Sequence, residues 1–235
     1  MRKPEIFRAA VDLGAGSGRV FVGGLDQPSL SLQEVHRFTY SPRLHLGHLR
    51  WDARALFAGL RDGVTRAREA AQRQGAVLDS IGVDGWGVDY GVVDREGRLL
   101  EDPICYRDDR TLGIPAKVFA RVSANRIFAV TGIQRLPFNT LFQLVAHVSE
   151  GLPSDAAQLL MIPDLCHHVL CGSRSGEPTN ASTTQLLNAE RCEWDETLFR
   201  DLGLPLHLMP APRPAIANPH CVWALAPSRS ARLRQ

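Results

Sequence analysis

The chain has 235 residues, of which 44% are hydrophobic and 22% are charged, a composition typical of a globular protein with room for a packed core. A formal net charge of +2, with 27 basic and 25 acidic residues, excludes the strongly basic surface that nucleic acids and anionic membranes attract. With no secretory or membrane-spanning apolar run and five cysteines without a CxxC pair, we expect a cytoplasmic protein that binds small molecules.

The first forty residues predict three antiparallel strands. An apolar run over residues 7–14 ends in a glycine-rich turn at 14–18, and the apolar character resumes over 20–24. Residues 30–40 alternate imperfectly, as expected of an edge strand with one wetter face.

A helix and further strands follow. Asp52 is a candidate N-cap for a helix that ends at Gly75 and whose apolar stripe includes Leu56, Leu60 and Ala67. Residues 78–83 and 88–93 predict two more strands. After Asp109 the pattern becomes mainly helical, with candidate helices at 115–130, 139–150, 155–160, 163–170 and 194–202.

Two short segments have the composition of ligand sites. In residues 12–19 (DLGAGSGR), an aspartate at a strand end precedes glycines and a serine whose backbone N–H groups can face phosphate; an ordinary hairpin turn is the alternative. In residues 81–90 (IGVDGWGVDY), Asp84, Asp89 and Trp86 surround a glycine bend. Carboxylates and an indole are suited to binding sugar hydroxyls. The alternative to a sugar site is a tight connection between two strands, with Trp86 in the core.

The first segment resembles the first phosphate loop of the FGGY carbohydrate kinases, which belong to the actin-like, ribonuclease H-like ATPases. The resemblance implies an α/β fold of that type, with a mixed sheet and covering helices, and it implies ATP and Mg²⁺ as cofactors. Asp12 is then expected near the phosphates, touching Mg²⁺ through water. The residues expected to contact ATP are Ala15, Gly16, Ser17, Gly18 and Arg19.

The second segment is similar to a stretch of the rhamnulokinase branch of the family, in which the glycine matching Gly87 contacts the ketose. This resemblance implies that Asp84 and Trp86 also face the sugar. Gly85 departs from the threonine usual in that branch, which leaves the fine sugar preference open.

Three further segments extend the resemblance. Asp108 and Arg110 match an aromatic-x-Asp-x-Arg element that lines the sugar cleft; a charged surface loop is the alternative. Residues 132–141 follow a rhamnulokinase stretch in which Asn139 is a candidate hydroxyl partner, although it can instead cap the next helix. Residues 178–186 resemble a segment that buttresses the cleft.

The end of the chain differs in composition. Residues 202–235 contain six prolines but no Asp or Glu. We therefore divide the chain into an FGGY N-terminal, sugar-binding domain (1–210) and an irregular Pro/Arg-rich tail (211–235). The family's catalytic aspartate lies in a Gly/Ser-x-His-Asp-Thr-Ala segment, which this sequence lacks. We therefore expect a truncated or frame-shifted kinase in which no residue serves as the catalytic base.

The resemblance implies a rhamnulokinase-type enzyme, which phosphorylates the 1-hydroxyl of L-rhamnulose with MgATP in rhamnose catabolism. The alternatives are a non-catalytic sugar-binding module, an inert fragment, or a kinase for another ketose such as L-fuculose or xylulose. Binding of L-rhamnulose distinguishes a sugar-binding module from an inert fragment, and a panel of sugars distinguishes the kinases.

Overall fold

A computed structural model describes residues 6–26 and 29–213. Its main sheet contains β1 (Ile6–Leu13), β2 (Ser17–Asp26) and β3 (Ser29–Thr39), which run antiparallel in sequence. The fourth strand, β6 (Val77–Gly85), lies parallel to β1 on its other side, which gives the order β3-β2-β1-β6. The predicted opening of three antiparallel strands, with the third at the edge, is confirmed.

Between β3 and β6 lie a short hairpin and one long helix. The hairpin, formed by β4 (Arg43–His45) and β5 (His48–Arg50), was not predicted. Helix α1 (Ala53–Arg73) begins as predicted, because the Asp52 carboxylate accepts the Ala55 N–H at 2.9 Å. Gly59 lets α1 approach the sheet closely, since a Cβ there would lie 2.2 Å from the Phe38 ring.

The second half is built from short elements in the order β7 (Tyr90–Val93), α2 (Ile114–Phe119), α3 (Ala124–Thr131), α4 (Thr140–Glu150), β8 (Gln158–Met161), α5 (Ile162–Cys171), α6 (Pro178–Ser182), β9 (Leu187–Asn188), β10 (Glu193–Trp194) and α7 (Glu196–Leu202). Strand β7 pairs antiparallel with β8, and β9 pairs antiparallel with β10. Single 3-10 turns occupy Asp109–Thr111 and Leu206–Leu208.

Two predictions for this half are wrong. The helix predicted at 155–160 is instead strand β8, whose last three residues are buried. A short buried apolar run has no periodicity that separates strand from helix. The helix predicted at 115–130 is divided in two, because Ser123 caps α3 by accepting the Arg126 N–H at 3.3 Å.

The side chains form two hydrophobic cores. One joins the main sheet to α1 and includes Val11, Leu60 and Trp51; the other lies around β7, β8 and α4 and includes Tyr90 and Phe142. Trp86 packs against the first core and Tyr90 belongs to the second, so the chain passes between them at residues 86–90. This passage contains the predicted sugar-binding bend.

The predicted tail lies mostly outside the described residues, which end at Arg213. Pro212 forms a parallel bridge with Gly176, and the Arg213 N–H donates to the Gly176 carbonyl at 2.8 Å. Within residues 6–26 and 29–213, no helix combines the length and the apolar character needed to cross a membrane.

Candidate functional site

The two predicted ligand segments begin at the same edge of the main sheet. In the parallel pairing of β1 with β6, Asp12 is the register partner of Asp84 and Leu13 that of Gly85. The glycine-rich turn and the glycine bend therefore follow neighbouring strand ends, the place where ligands bind in open α/β sheets. The Asp12 side chain is 41% exposed and Asp84 is exposed, so both carboxylates are accessible.

Tyr40 fixes the glycine-rich turn from behind. Its hydroxyl donates to the Gly14 carbonyl at 2.6 Å, and its own N–H donates to the Gly16 carbonyl at 3.1 Å. Burial raises the pKa of the Tyr40 hydroxyl, with smaller contributions from Cys166 and Asp12, so it remains a proton donor. Gly16 has φ +140°, a conformation that side chains rarely adopt.

Asp12 forms an ion pair with Arg19, a residue that was predicted to contact ATP. A single partly exposed carboxylate fits Mg²⁺ held through water, because this ion keeps several of its waters and takes few protein ligands. Among the described residues, no group of three His, Cys, Asp or Glu side chains is close enough to hold a metal ion by itself. A metal at Asp12 thus needs water and phosphate oxygens as further ligands.

Trp86 connects the bend to the turn. Its ring stacks on Tyr40, with centroids 5.8 Å apart and planes at 25°, and it lies 4.8 Å from the Trp51 ring. Because Tyr40 also holds Gly14, one side chain joins the predicted phosphate and sugar segments. The Trp86 indole N–H donates to Asp89 at 3.0 Å, so it is not available to a ligand.

Asp89 is fully buried and faces protein donors. One carboxylate oxygen accepts from the Trp51 indole at 2.7 Å, from the Trp86 indole at 3.0 Å and from the Tyr106 N–H at 3.1 Å. The other accepts from Gln143 at 2.9 Å. Desolvation raises the pKa of Asp89, although these hydrogen bonds act in the opposite direction. Of the bend's two aspartates, only Asp84 is available to a ligand.

The bend itself contains a strained residue. Val88 has φ +69°, which is unfavourable for a β-branched side chain. Its N–H donates to the Thr183 hydroxyl at 3.2 Å, and its carbonyl accepts from the Thr140 hydroxyl at 2.7 Å. A Cβ on Gly87 would lie 2.8 Å from the Thr183 Oγ1, so packing against Thr183 requires a glycine at this position.

The other predicted sugar ligands are engaged by the protein. Asp108 accepts from the Leu49 N–H at 2.6 Å, from the Arg110 N–H at 2.9 Å and from His48 at 3.0 Å. Although desolvation raises it, these hydrogen bonds hold the pKa of Asp108 below its usual range.

Arg110 and Asn139 also hydrogen bond to buried amides. Arg110 donates to Gln143 at 2.9 Å, while its Nη1 is buried without a protein partner. Asn139 is 1% exposed and donates to the Gln134 carbonyl at 2.8 Å and to Gln185 at 3.0 Å. It occupies the N-cap position of α4 without a side-chain cap hydrogen bond. Direct sugar contacts by Asp108, Arg110 and Asn139 stay predictions.

Four residues that shape the site were not singled out from sequence: Tyr40, Trp51, Gln143 and Thr183. Thr183 lies in the segment expected to buttress the cleft, and its hydroxyl accepts the Val88 N–H. The others lie in no local motif, and their partners are far away in sequence.

Comparison with known proteins identifies the family. Residues 8–222 match the FGGY family of carbohydrate kinases, N-terminal domain. The chain is 44% identical over 208 residues to a rhamnulokinase of Yersinia pestis (strain Pestoides F), covering 86% of this chain and 42% of that protein. It is 46% identical over 202 residues to a rhamnulokinase of Klebsiella pneumoniae, covering 84% and 40%. The chain therefore spans about two fifths of these relatives.

Solved structures show the same fold. Gluconate kinase from Lactobacillus acidophilus superposes with a TM-score of 0.75 at 16% identity, covering 89% of this chain and 42% of that one. Plasmodium falciparum glycerol kinase with ADP gives 0.69 at 17% identity, covering 89% and 43%. The expected actin-like, α/β fold is confirmed by these neighbours, and the sequence match shows that the chain belongs to the FGGY family of carbohydrate kinases.

Proposed function

We propose that this chain is the part of a rhamnulokinase-type enzyme that binds the ketose and the phosphates of MgATP. In the complete enzyme, the 1-hydroxyl of L-rhamnulose attacks the γ-phosphorus, the bond from phosphorus to the ADP oxygen breaks, and a base accepts the hydroxyl proton. The observation that carries the proposal is the pairing of Asp12 with Asp84 at neighbouring strand ends. The 44–46% identity to rhamnulokinases supports the choice of sugar.

The chain's own residues divide the work of binding. The Gly14 and Gly16 N–H groups donate to the Ser17 and Gly14 carbonyls within the glycine-rich turn, so the remaining N–H groups of the turn face the phosphates. Asp12 holds Mg²⁺ through water. Asp84 accepts hydrogen bonds from sugar hydroxyls beside the half-buried face of Trp86. Tyr40 fixes the glycine-rich turn and the bend relative to each other, because it contacts both Gly14 and Trp86.

Transfer also requires a base, which the family places in a Gly/Ser-x-His-Asp-Thr-Ala segment that is not among these 235 residues. Asp89 cannot take this role, because its carboxylate is buried and receives four hydrogen bonds from the protein. Sugar binding, rather than turnover, is therefore the decisive measurement on this chain.

Calorimetric titration of the chain with L-rhamnulose, L-fuculose and D-xylulose tests the proposal. We expect the tightest binding for L-rhamnulose and a loss of about 10- to 100-fold in Asp84→Asn, the range for a hydrogen bond to a charged group. Asp62→Asn, on the exposed face of α1, is the matched control and leaves affinity unchanged. Absence of binding, or equal binding of all three sugars, overturns the assignment.

A further inference from the structure

A single buried amide joins three segments that were predicted separately to line the sugar cleft. Gln143, in α4, is 1% exposed. Its Oε1 accepts from the Arg110 guanidinium at 2.9 Å. Its Nε2 lies 2.9 Å from the Asp89 carboxylate, 3.2 Å from the Val88 carbonyl and 2.9 Å from the Phe138 carbonyl. The bend, the arginine loop and the segment before α4 thus meet at one side chain.

The position requires an amide of this length. Arg110 presents a donor, whereas Val88, Asp89 and Phe138 present acceptors, so the side chain between them must accept on one side and donate on the other. A glutamate would direct a second carboxylate at Asp89, and a lysine has no acceptor for Arg110. An asparagine is one methylene shorter and cannot span the same contacts from the α4 backbone.

Gln143 also stabilises the strained backbone at Val88. A residue in an unfavourable conformation persists only where its surroundings over-determine it, and such residues cluster at functional sites. The Val88 carbonyl accepts from both Thr140 and Gln143, which lie three residues apart on one face of α4, and its N–H donates to Thr183. Two separate elements therefore fix the bend from both sides.

We propose that Gln143 is a positioning residue that sets the Trp86 ring and the Arg110 guanidinium in a fixed relation to each other without touching the sugar. Asp89 transmits the orientation, because it binds Gln143 with one oxygen and the Trp86 indole with the other. The inference rests on the proposed function only for the identity of the ligand. The linkage itself is a property of the unliganded chain.

The first test uses the full chain without sugar. Gln143→Met keeps the side-chain length and removes every side-chain hydrogen bond of this residue. The control, Leu202→Ala in α7, removes buried apolar atoms of the second core and none of these hydrogen bonds. By NMR, we expect hydrogen exchange at the Trp86 indole and the Val88 amide to accelerate by about tenfold in Gln143→Met, as for loss of one hydrogen bond. Leu202→Ala should leave both rates unchanged, and equal rates in the two variants overturn the inference.

The second test adds sugar and separates this inference from the proposed function. With L-rhamnulose, Gln143→Met should lower affinity by about 10- to 100-fold, the effect of small misplacements of binding groups, while Leu202→Ala stays within about twofold. If the unsubstituted chain binds no sugar, the proposed function fails, and hydrogen exchange still decides the role of Gln143. Unchanged affinity in Gln143→Met overturns the positioning role.

Gln143→Glu covers the case in which Gln143→Met does not fold. It keeps the acceptor for Arg110 but loses the donors to Val88 and Asp89. We expect the Arg110 Nη2 protons to stay protected from exchange, because they keep an acceptor at residue 143, while exchange at the Val88 amide accelerates. Slow exchange at Val88 in this variant would show that Gln143 does not hold the bend.

Discussion

Gly87 offers the sharpest test of how the bend is built. A Cβ at this position would lie 2.8 Å from the Oγ1, 2.9 Å from the Cγ2 and 3.0 Å from the Cβ of Thr183. Thr183 has little freedom to move away, because its hydroxyl accepts the Val88 N–H at 3.2 Å and donates to the Asn180 carbonyl at 2.8 Å. Gly87→Ala therefore forces a methyl group into an occupied space.

The magnitude follows from the kind of contact. Overpacking of this type costs about 1–3 kcal/mol of unfolding free energy. For a domain of this size, each kcal/mol lowers Tm by about 2–4 °C, so we expect a loss of roughly 2–12 °C in Gly87→Ala. Gly82→Ala is the matched control, since Gly82 lies in β6 shortly before the bend and a Cβ added there would have no atom within 4 Å.

Urea denaturation of a double-mutant cycle identifies the cause. Thr183→Ala alone leaves the Val88 N–H without its acceptor and costs about 1–3 kcal/mol. The same change makes room for the Gly87→Ala methyl. The double variant should therefore lose less unfolding free energy than the two single losses added together, by about 1 kcal/mol or more. Strict additivity, or equal stability of Gly87→Ala and Gly82→Ala, would refute the packing explanation.

Three further predictions concern buried polar groups. Desolvation raises the pKa of Asp164 to about 7, so the stability of the wild-type protein falls as the pH rises from about 4 to 7. In urea denaturation, Asp164→Asn should be more stable than wild type by about 1–3 kcal/mol at pH 8, and should show no such gain at pH 4. The pKa of Asp108 is lowered, so its stabilising contribution is present above its unfolded pKa and is lost as pH falls; the acid-unfolding curve of Asp108→Asn should lack that contribution. Trp51→Phe removes a donor to Asp89 and should cost about 1–3 kcal/mol in thermal unfolding. A pH-independent gain in Asp164→Asn, an unchanged acid curve in Asp108→Asn, or an unchanged Tm in Trp51→Phe would contradict the respective assignments.

The sequence predicts those parts of the fold that depend on neighbours in the chain. The opening strands, the glycine-rich turn and the Asp52 cap each rest on contacts among nearby residues, and the structure contains all of them. Strand β8 was missed because its pairing with β7 bridges about seventy residues of chain, which no local period reports. The hydrogen bond from the Val88 N–H to Thr183, which holds the bend, was missed for the same reason, because the two residues are separated by 95 positions.

Asp84 and Asp89 show why residue type and spacing do not settle a role. The two aspartates lie five positions apart in one segment and are equally suited to sugar hydroxyls by their chemistry. Asp84 is the penultimate residue of β6 and is exposed, whereas Asp89 follows the bend into the interior, where an ionised carboxylate persists only with compensating donors. Those donors come from Trp51, Gln143 and Tyr106, on three different parts of the chain. A carboxylate that already accepts hydrogen bonds from so many protein donors can orient the site but is not available to a ligand, so of the two aspartates only the exposed Asp84 can accept further hydrogen bonds.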